Sequence, residues 1–321
     1  MIRYIVRRLL WLAFVLFVIS VLTFLIFFVM PPSDPAVNFA GRAPREETIT
    51  AVREQFGLDR PVPVQYGLFV KRFFLGDEYG WPGFGFSFTT RTPIRDSLLP
   101  RAWVTAQLAI GASIVWLVVG VPIGIVSALK RHTMVDRAAM GFALFGVSAP
   151  VFWLGLVSLF IFWQKLGISP GTGYVAFSSD PVGWATHFWL PWVVLALLYA
   201  AFYARIVRGN MLEVMAEDYI RTARAKGLSE RRVVFKHGLR SSLTPIVTLY
   251  GLDLGLLLGG AIVTESVFNI PGLGPYTISA VFRGDLPVVV AVTIFGAFAV
   301  VLLTLIVDIV YAYLDPRVRY T

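Results

Sequence analysis

Asp253 is the one acid near the middle of an apolar run in this 321-residue chain, and Tyr250 stands three residues before it. A carboxylate at that depth costs roughly 2.5–3.5 kcal/mol on insertion scales, so it needs a wet cavity or a polar partner. Residues three apart are neighbours on a helix surface, which puts Tyr250 within reach of a shared hydrogen bond. Three chemistries suit such an acid: a structural carboxylate paired across helices, a proton or ion carrier, or a transient partner for a cationic substrate. Enzymatic chemistry is poorly served. The three histidines, His132, His187 and His237, are scattered, there is no cysteine, and no GxxxxGK[ST] phosphate loop occurs. No catalytic residue, metal site or cofactor of this chain's own is expected.

Around Asp253, Gly251, Gly255 and Gly259 recur every four residues, the small-xxx-small spacing that lets membrane helices pack backbone to backbone, and Gly260 thickens the stripe. Asp253 is two residues from Gly251, about 200° around a helix. If the stripe packs on a neighbour, Asp253 faces the other way, toward a path or a polar partner.

Upstream lies a second chemical feature, the segment Asp218 to Pro245. Eight basic residues (Arg208, Arg221, Arg224, Lys226, Arg231, Arg232, Lys236, Arg240) face four acids (Glu213, Glu217, Asp218, Glu230) in and around it. Arg221 to Lys226 is rich in helix formers, and Gly227 is placed to stop the helix in a left-handed conformation. Ser229 then stands where an N-cap belongs, with Glu230 in the first turn to suit the helix dipole. Two short helices with a hinge are expected. Ala223, Ala225 and Gly227 are small enough to let another protein approach the backbone closely. On charge alone the segment is an ordinary cytoplasmic loop.

These features need a membrane around them. Fifty-seven percent of the residues are hydrophobic, and the mean hydropathy is +0.74. A soluble core could not hide that much apolar surface. The net charge of +9 fits retained cytoplasmic Lys and Arg beside anionic lipid, so membrane lipid and not nucleic acid is the expected neighbour. Leu9–Met30 is long enough for a retained anchor and ends at Pro31-Pro32 without a cleavage site. Further spans are expected over Trp103–Leu129, Ala138–Trp163, Phe188–Val207, Pro245–Val263 and Pro287–Leu314, the last ended by Asp315-Pro316. Seventeen of the 28 Lys and Arg residues then fall on the cytoplasmic side, and only Lys165 and Arg283 lie in the short outer loops.

The expected fold is an all-α integral membrane protein of six transmembrane helices with both termini cytoplasmic, in the cell inner membrane. It divides into residues 1–30 (tail and first span), an extracytoplasmic loop over 31–101, and a core over 102–321 that carries the cytoplasmic segment 208–244. In the long loop, Pro44 can open a helix closed by Gly57, and Val64–Leu75 is a second. The loop can cap the helix ends, dock a soluble protein, or do both.

RTARAKGL, residues Arg221, Thr222, Ala223, Arg224, Ala225, Lys226, Gly227 and Leu228, followed by a second short helix, resembles the cytoplasmic coupling loop of bacterial and archaeal ABC importer permeases. The likeness is closest to the first permease subunit of the dipeptide and oligopeptide branch. Where the general pattern has Glu-Ala-Ala six residues before the glycine, this chain has Arg221, Thr222 and Ala223. The distal Ile-x-Leu-Pro falls on His237, Gly238, Leu239 and Arg240, again a departure from the general pattern and a mark of the branch. ESVFNIPGLG (Glu265 to Gly274) and DIVYAYLDPRVR (Asp308 to Arg319) resemble the same branch strongly, and the N-terminal apolar run does so more weakly.

The resemblance implies a type I ABC importer permease. Its partners would be a second, similar permease subunit, two cytoplasmic ATPase subunits that bind ATP and magnesium, and an extracytoplasmic substrate-binding protein. The implied cargo is a di- or oligopeptide, with nickel chelates and glutathione as alternatives within the branch. The competing class is a single-chain secondary transporter with Asp253 as its ion carrier. The chain's halves show no internal repeat of the kind such carriers use.

Overall fold

The computed structural model of the chain describes residues 2–31, 34–41 and 44–314. The expected stop at Asp315-Pro316 and the end of the C-terminal motif lie outside the described residues.

The first span is α1 (Ile2–Phe24), prolonged by a π-helical turn over Leu25–Val29. The long loop then folds as α2 (Pro35–Phe39), α3 (Glu46–Phe56), α4 (Val62–Leu75) and a two-residue antiparallel ladder of β1 (Phe86–Ser87) with β2 (Thr92–Pro93). Asp34 caps α2 by accepting from the Ala36 N–H at 2.9 Å and also pairs with Arg53 of α3. α3 begins two residues after Pro44, and Gly57 ends it at φ 62°. The elements form a cap around an aromatic cluster. Phe28 from the end of the first span meets Phe39, Phe56 and Phe69 with ring centroids 4.7–5.7 Å apart. Such burial, 150–250 Å² per ring, ties the loop to the membrane part.

The bundle is built on two 36-residue helices, α5 (Ile94–Leu129) and α8 (Pro181–Ala216). Each is about 54 Å long at 1.5 Å per residue, well beyond a hydrocarbon core of roughly 30 Å. The expected span over Phe188–Val207 is therefore the middle of a longer rod, and the one over Trp103–Leu129 runs to the inner end of its rod. Small residues set their closeness: a Cβ placed on Gly120 would lie 2.7 Å from the Ala200 carbonyl oxygen, and one on Gly124 2.6 Å from that of Ala204. Leu108, Ala112 and Trp116 of α5 and Ala200, Tyr203 and Val207 of α8 fill the seam.

Between the rods, α6 (Met134–Ser148) and α7 (Val151–Ser158, prolonged by a π-helical turn to Lys165) are bent 102° apart. The expected third span over Ala138–Trp163 therefore forms as a bent pair of helices. Pro150 lacks the N–H the ladder needs, and the residue before a proline avoids helical backbone; Ala149 is extended at ψ 127°.

After α8 come α9 (Asp218–Ala225), then α10 (Glu230–Arg232), a π-helical turn (Val233–Gly238) and α11 (Leu239–Ser242) as one continuous run. α12 (Thr244–Leu258), α13 (Ile262–Val267), α14 (Leu273–Arg283) and α15 (Leu286–Leu314) complete the chain. α12 stops at Leu258, short of the expected Val263, because Gly260 takes φ 124° and breaks the helix.

Among the described residues four unbroken helices are long and apolar enough to cross a membrane. Counting the α6–α7 pair and the pair made by 230–242 with Pro245–Leu258, bent by 51°, brings the number to six.

Candidate functional site

The basic segment expected to act in coupling lies at the end of α5 and α8 remote from the cap. Ile94, the first residue of α5, hydrogen-bonds Gly85 in the cap, while Ser127 near its other end reaches a carboxylate held by Arg208 of α8. From Arg208, α8 continues to Ala216, and α9 follows at once.

α9 is amphipathic in the plain sense. Ile220 and Ala223 turn inward onto Val233, with Met215 and Leu228 beside them. Arg221, Thr222, Arg224, Ala225 and Lys226 face outward. Gly227 follows at φ 75°, with nothing within 4 Å of where a Cβ would sit. Ser229 stands at the N-cap of α10, but its side chain makes no capping bond. What bridges the hinge is an ion pair: Arg224 donates to Glu230 from Nε at 3.1 Å and from Nη2 at 2.7 Å. That bond, opposed only by modest burial, holds the Glu230 carboxyl below its ordinary range. Of the three small residues expected to admit a partner, Ala225 and Gly227 are exposed, whereas Ala223 packs into the chain's own core.

The second location is the inward face of α12. Cβ atoms on Gly251 and Gly255 would meet Val307 and Val300 of α15, and Gly259 lies opposite Gly296. Gly260 does not extend this stripe; its backbone meets Gly274 at the head of α14. Asp253 points to the other side, where Tyr203 of α8 donates to Oδ2 at 2.7 Å. The expected pairing with Tyr250 does not form, because the Tyr250 hydroxyl bonds Ser113 of α5 at 3.0 Å instead. Trp116 completes the group, with its ring 4.5 Å from Tyr199 and 6.0 Å from both Tyr203 and Tyr250. Its buried Nε1 has no hydrogen-bond partner among the described residues. Three helices thus converge near the midpoint of α5 on a carboxylate with aromatic faces and phenolic hydroxyls around it.

Toward the cap lies a buried acid that the sequence left without a role. Glu265 is wholly buried; Thr105 of α5 donates to Oε1 at 2.7 Å, and the Gly274 N–H donates to Oε2 at 2.7 Å. Thr105 in turn accepts from the Leu273 N–H at 2.8 Å. Among the described residues no group of three or more His, Asp or Glu side chains comes together as a metal site would need.

A bundle crossed by long helices, with an amphipathic segment standing off one end and a polar cluster at mid-depth, has the build of a membrane transport subunit. Residues 120–320 match the family described as the binding-protein-dependent transport system inner membrane component, and residues 1–109 match its N-terminal companion. The chain belongs to this family of ABC transporter permeases. It is 41% identical over its whole length, and over all of the relative, to the glutathione transport system permease protein GsiC of Escherichia coli (strain K12). It is 40% identical to a chain of Brucella abortus (strain 2308) named a peptide transport system permease protein, over 95% of each. Among solved structures, the MetNI methionine ABC transporter in inward-facing conformations superposes with a TM-score of 0.53 at 20% identity. It covers 70% of this chain and 98% of the other, a likeness of fold alone.

Proposed function

We propose that this chain forms half of the translocation path of an ATP-driven importer of di- or oligopeptides. Its neighbours would be a second permease subunit, two cytoplasmic ATPase subunits that hold ATP and its magnesium, and an extracytoplasmic binding protein. The observation that carries the proposal is α9, whose inner face is pinned by Ile220 and Ala223 while Arg221, Arg224, Ala225 and Lys226 stand clear of the bundle. A short helix so presented is a lever that a moving partner can push. ATP-driven closure of the ATPase pair displaces α9 and the run beyond Gly227, and that displacement rocks the spans between outward and inward openings. The cap receives the loaded binding protein.

Peptide cargo is supported by the names of the relatives and by Asp253 beside Tyr203, a carboxylate suited to a passing α-ammonium. Glutathione, itself a small peptide with a free ammonium, falls in the same chemical class. The test is reconstitution of the whole complex in vesicles with its binding protein. Uptake of a labelled dipeptide, an oligopeptide, glutathione and a nickel chelate is then measured with and without internal ATP. ATP-dependent uptake of one or more peptides is expected. Uptake driven by a proton gradient without ATP overturns the class, and uptake of the nickel chelate alone overturns the cargo.

A further inference from the structure

We infer that Arg208 and Asp136 are the positioning pair through which movement of the coupling segment reaches α5 and α6. The inference rests on the reading of α9 and its successor as the ATPase contact. Neither residue need touch the ATPase; both act through the helices they join.

Asp136, in the first turn of α6, is 4% exposed, and its carboxylate receives four hydrogen bonds. Arg208 of α8 donates Nε to Oδ1 at 2.7 Å and Nη2 to Oδ2 at 2.9 Å. Ser127 of α5 donates to Oδ1 at 2.5 Å, and the His132 N–H donates to Oδ2 at 2.9 Å. One carboxylate thus gathers the inner ends of α5, α6 and α8 and the turn between the first two. His132 holds φ 64°, a conformation that costs a side chain something, and the bond from its N–H helps to keep it there.

The same stretch of α8 also holds the far leg of the coupling segment. At the junction of α11 and α12 the Ile246 N–H bonds Leu243 O, one residue short of its α-helical register, so Ser242 O is left for another donor. Asn210 Nδ2 takes it at 3.1 Å, and the Ser242 hydroxyl lies 3.1 Å from the sulfur of Met211. Residues 208–211 therefore tie the end of α11, just before α12, on one side and α5 with α6 on the other. Displacement of α9 turns α8, and the two ties hand that turn to the rest of the bundle.

An apolar seam would let the helices slip over each other, since apolar contact has no fixed direction. A bidentate guanidinium–carboxylate fork fixes both distance and angle. A buried ion pair adds little to stability over well-packed apolar residues, so its use here is better explained by the geometry it imposes.

The experiment uses the complete complex in vesicles. Arg208→Lys keeps the charge but cannot span both oxygens, and Asp136→Asn keeps the shape and loses the charge. Both variants are expected to keep their ATPase subunits and to hydrolyse ATP within about twofold of wild type, while peptide imported per ATP falls about tenfold. Uptake and hydrolysis falling in proportion indicate a purely structural pair and overturn the inference, as does unchanged coupling. A second measurement stands whether or not the variants assemble. Spin labels on cysteines replacing the exposed Arg137 and Arg205, in a chain otherwise unaltered, report the distance from α6 to α8. An unchanged distance between nucleotide-free and ATP-trapped states is expected, and a shifted one overturns the inference. Gly227→Leu is the control for the underlying reading: uncoupling there with coupled transport in both pair variants rejects the pair alone, and coupled transport in all three rejects the coupling segment as well.

Discussion

Thr105 and Glu265, 160 residues apart in sequence, share a 2.7 Å hydrogen bond inside the bundle, and Thr105 also accepts from the Leu273 N–H. One hydroxyl thereby fastens the turn between α13 and α14 to α5, near the end of the bundle that carries the cap. Among the described residues the carboxylate has no cationic partner; its donors include the Thr105 hydroxyl and the Gly274 N–H.

Thr105→Val removes a donor from Glu265 and an acceptor from Leu273 while keeping the shape, so two buried groups lose a partner. An unmatched buried group costs about 1–3 kcal/mol, so Thr105→Val is expected to lower the melting temperature of the detergent-purified chain clearly. Thr105→Ser keeps the hydroxyl and should recover most of the loss. Equal losses in the two variants would show that the methyl group, and not the hydroxyl, holds the turn.

Gly227→Leu tests the hinge. The residue holds φ 75° with open space around it, so a leucine meets no clash within the chain. It incurs the left-handed penalty of roughly 1–2 kcal/mol and projects into the exposed face proposed to meet the ATPase. Transport is expected to uncouple from ATP hydrolysis while the spans stay folded. Reconstituted uptake and substrate-stimulated hydrolysis report it, and unchanged uptake in a correctly assembled variant rejects the hinge role.

What the sequence made legible followed from short-range geometry. Gly227 between a helix-forming run and Ser229 is a stop signal, and Asp253 opposite Gly251 follows from 100° per residue. Partners supplied by distant helices were not legible. Tyr250 was the reachable neighbour of Asp253 on its own helix, but Tyr203 on α8 arrives with better aim. Nothing local announces that Thr105 waits for Glu265 or Arg208 for Asp136. Two features had signals in the sequence that went unused. Pro150 in the middle of an apolar run marks the 102° bend. Ala223, three residues after Ile220 and followed by Val233, belongs to the inward face of this amphipathic segment and not to the surface open to a partner.

The orientation can be checked with single cysteines, since the chain has none of its own. Glu47 on α3 and Ser229 at the hinge are both exposed, so access depends on the side of the membrane. An impermeant thiol reagent applied to intact cells should label a cysteine at 47 and miss one at 229 until the membrane is opened. The reverse pattern would overturn the topology and the coupling assignment together.

Asp285, at the head of α15, accepts from Ser87 of the cap at 2.5 Å and is 2% exposed, with Oδ1 unmatched among the described residues. Burial pushes its carboxyl above the ordinary 3.8, and the Ser87 bond, the Val288 N–H and the Arg283 charge oppose that only in part. A raised folded-state value means that the folded chain holds this proton more tightly than the unfolded chain. Its contribution is therefore fully present below about 3.8 and is lost as pH rises through the raised value. Asp285→Asn stays neutral throughout and still accepts from Ser87. Its melting temperature should gain on wild type as pH rises through that window and then level off. A difference that does not vary with pH would show that Asp285 is not titrating there.

Asp253→Asn tests whether Asp253 lines the path, as proposed. Asp253 lies opposite the α15 contact, at mid-depth, with Tyr203 on one oxygen and aromatic faces nearby. A carboxylate so placed can pair briefly with an ammonium, and the contact must be weak, because a path that binds tightly cannot release; capture belongs to the binding protein. Asparagine keeps the size and can still accept from the Tyr203 hydroxyl, so assembly should survive. Uptake of a lysine-containing dipeptide should then fall several-fold more than uptake of a neutral one, both normalised to assembled complex. If Asp253 is instead a structural acid, less complex assembles and both peptides lose alike. If it carries protons, transport that depends on a proton gradient disappears while ATP dependence is absent from the start. Equal loss for the two peptides rejects the path-lining role, because charge at Asp253 then has no bearing on which substrate passes.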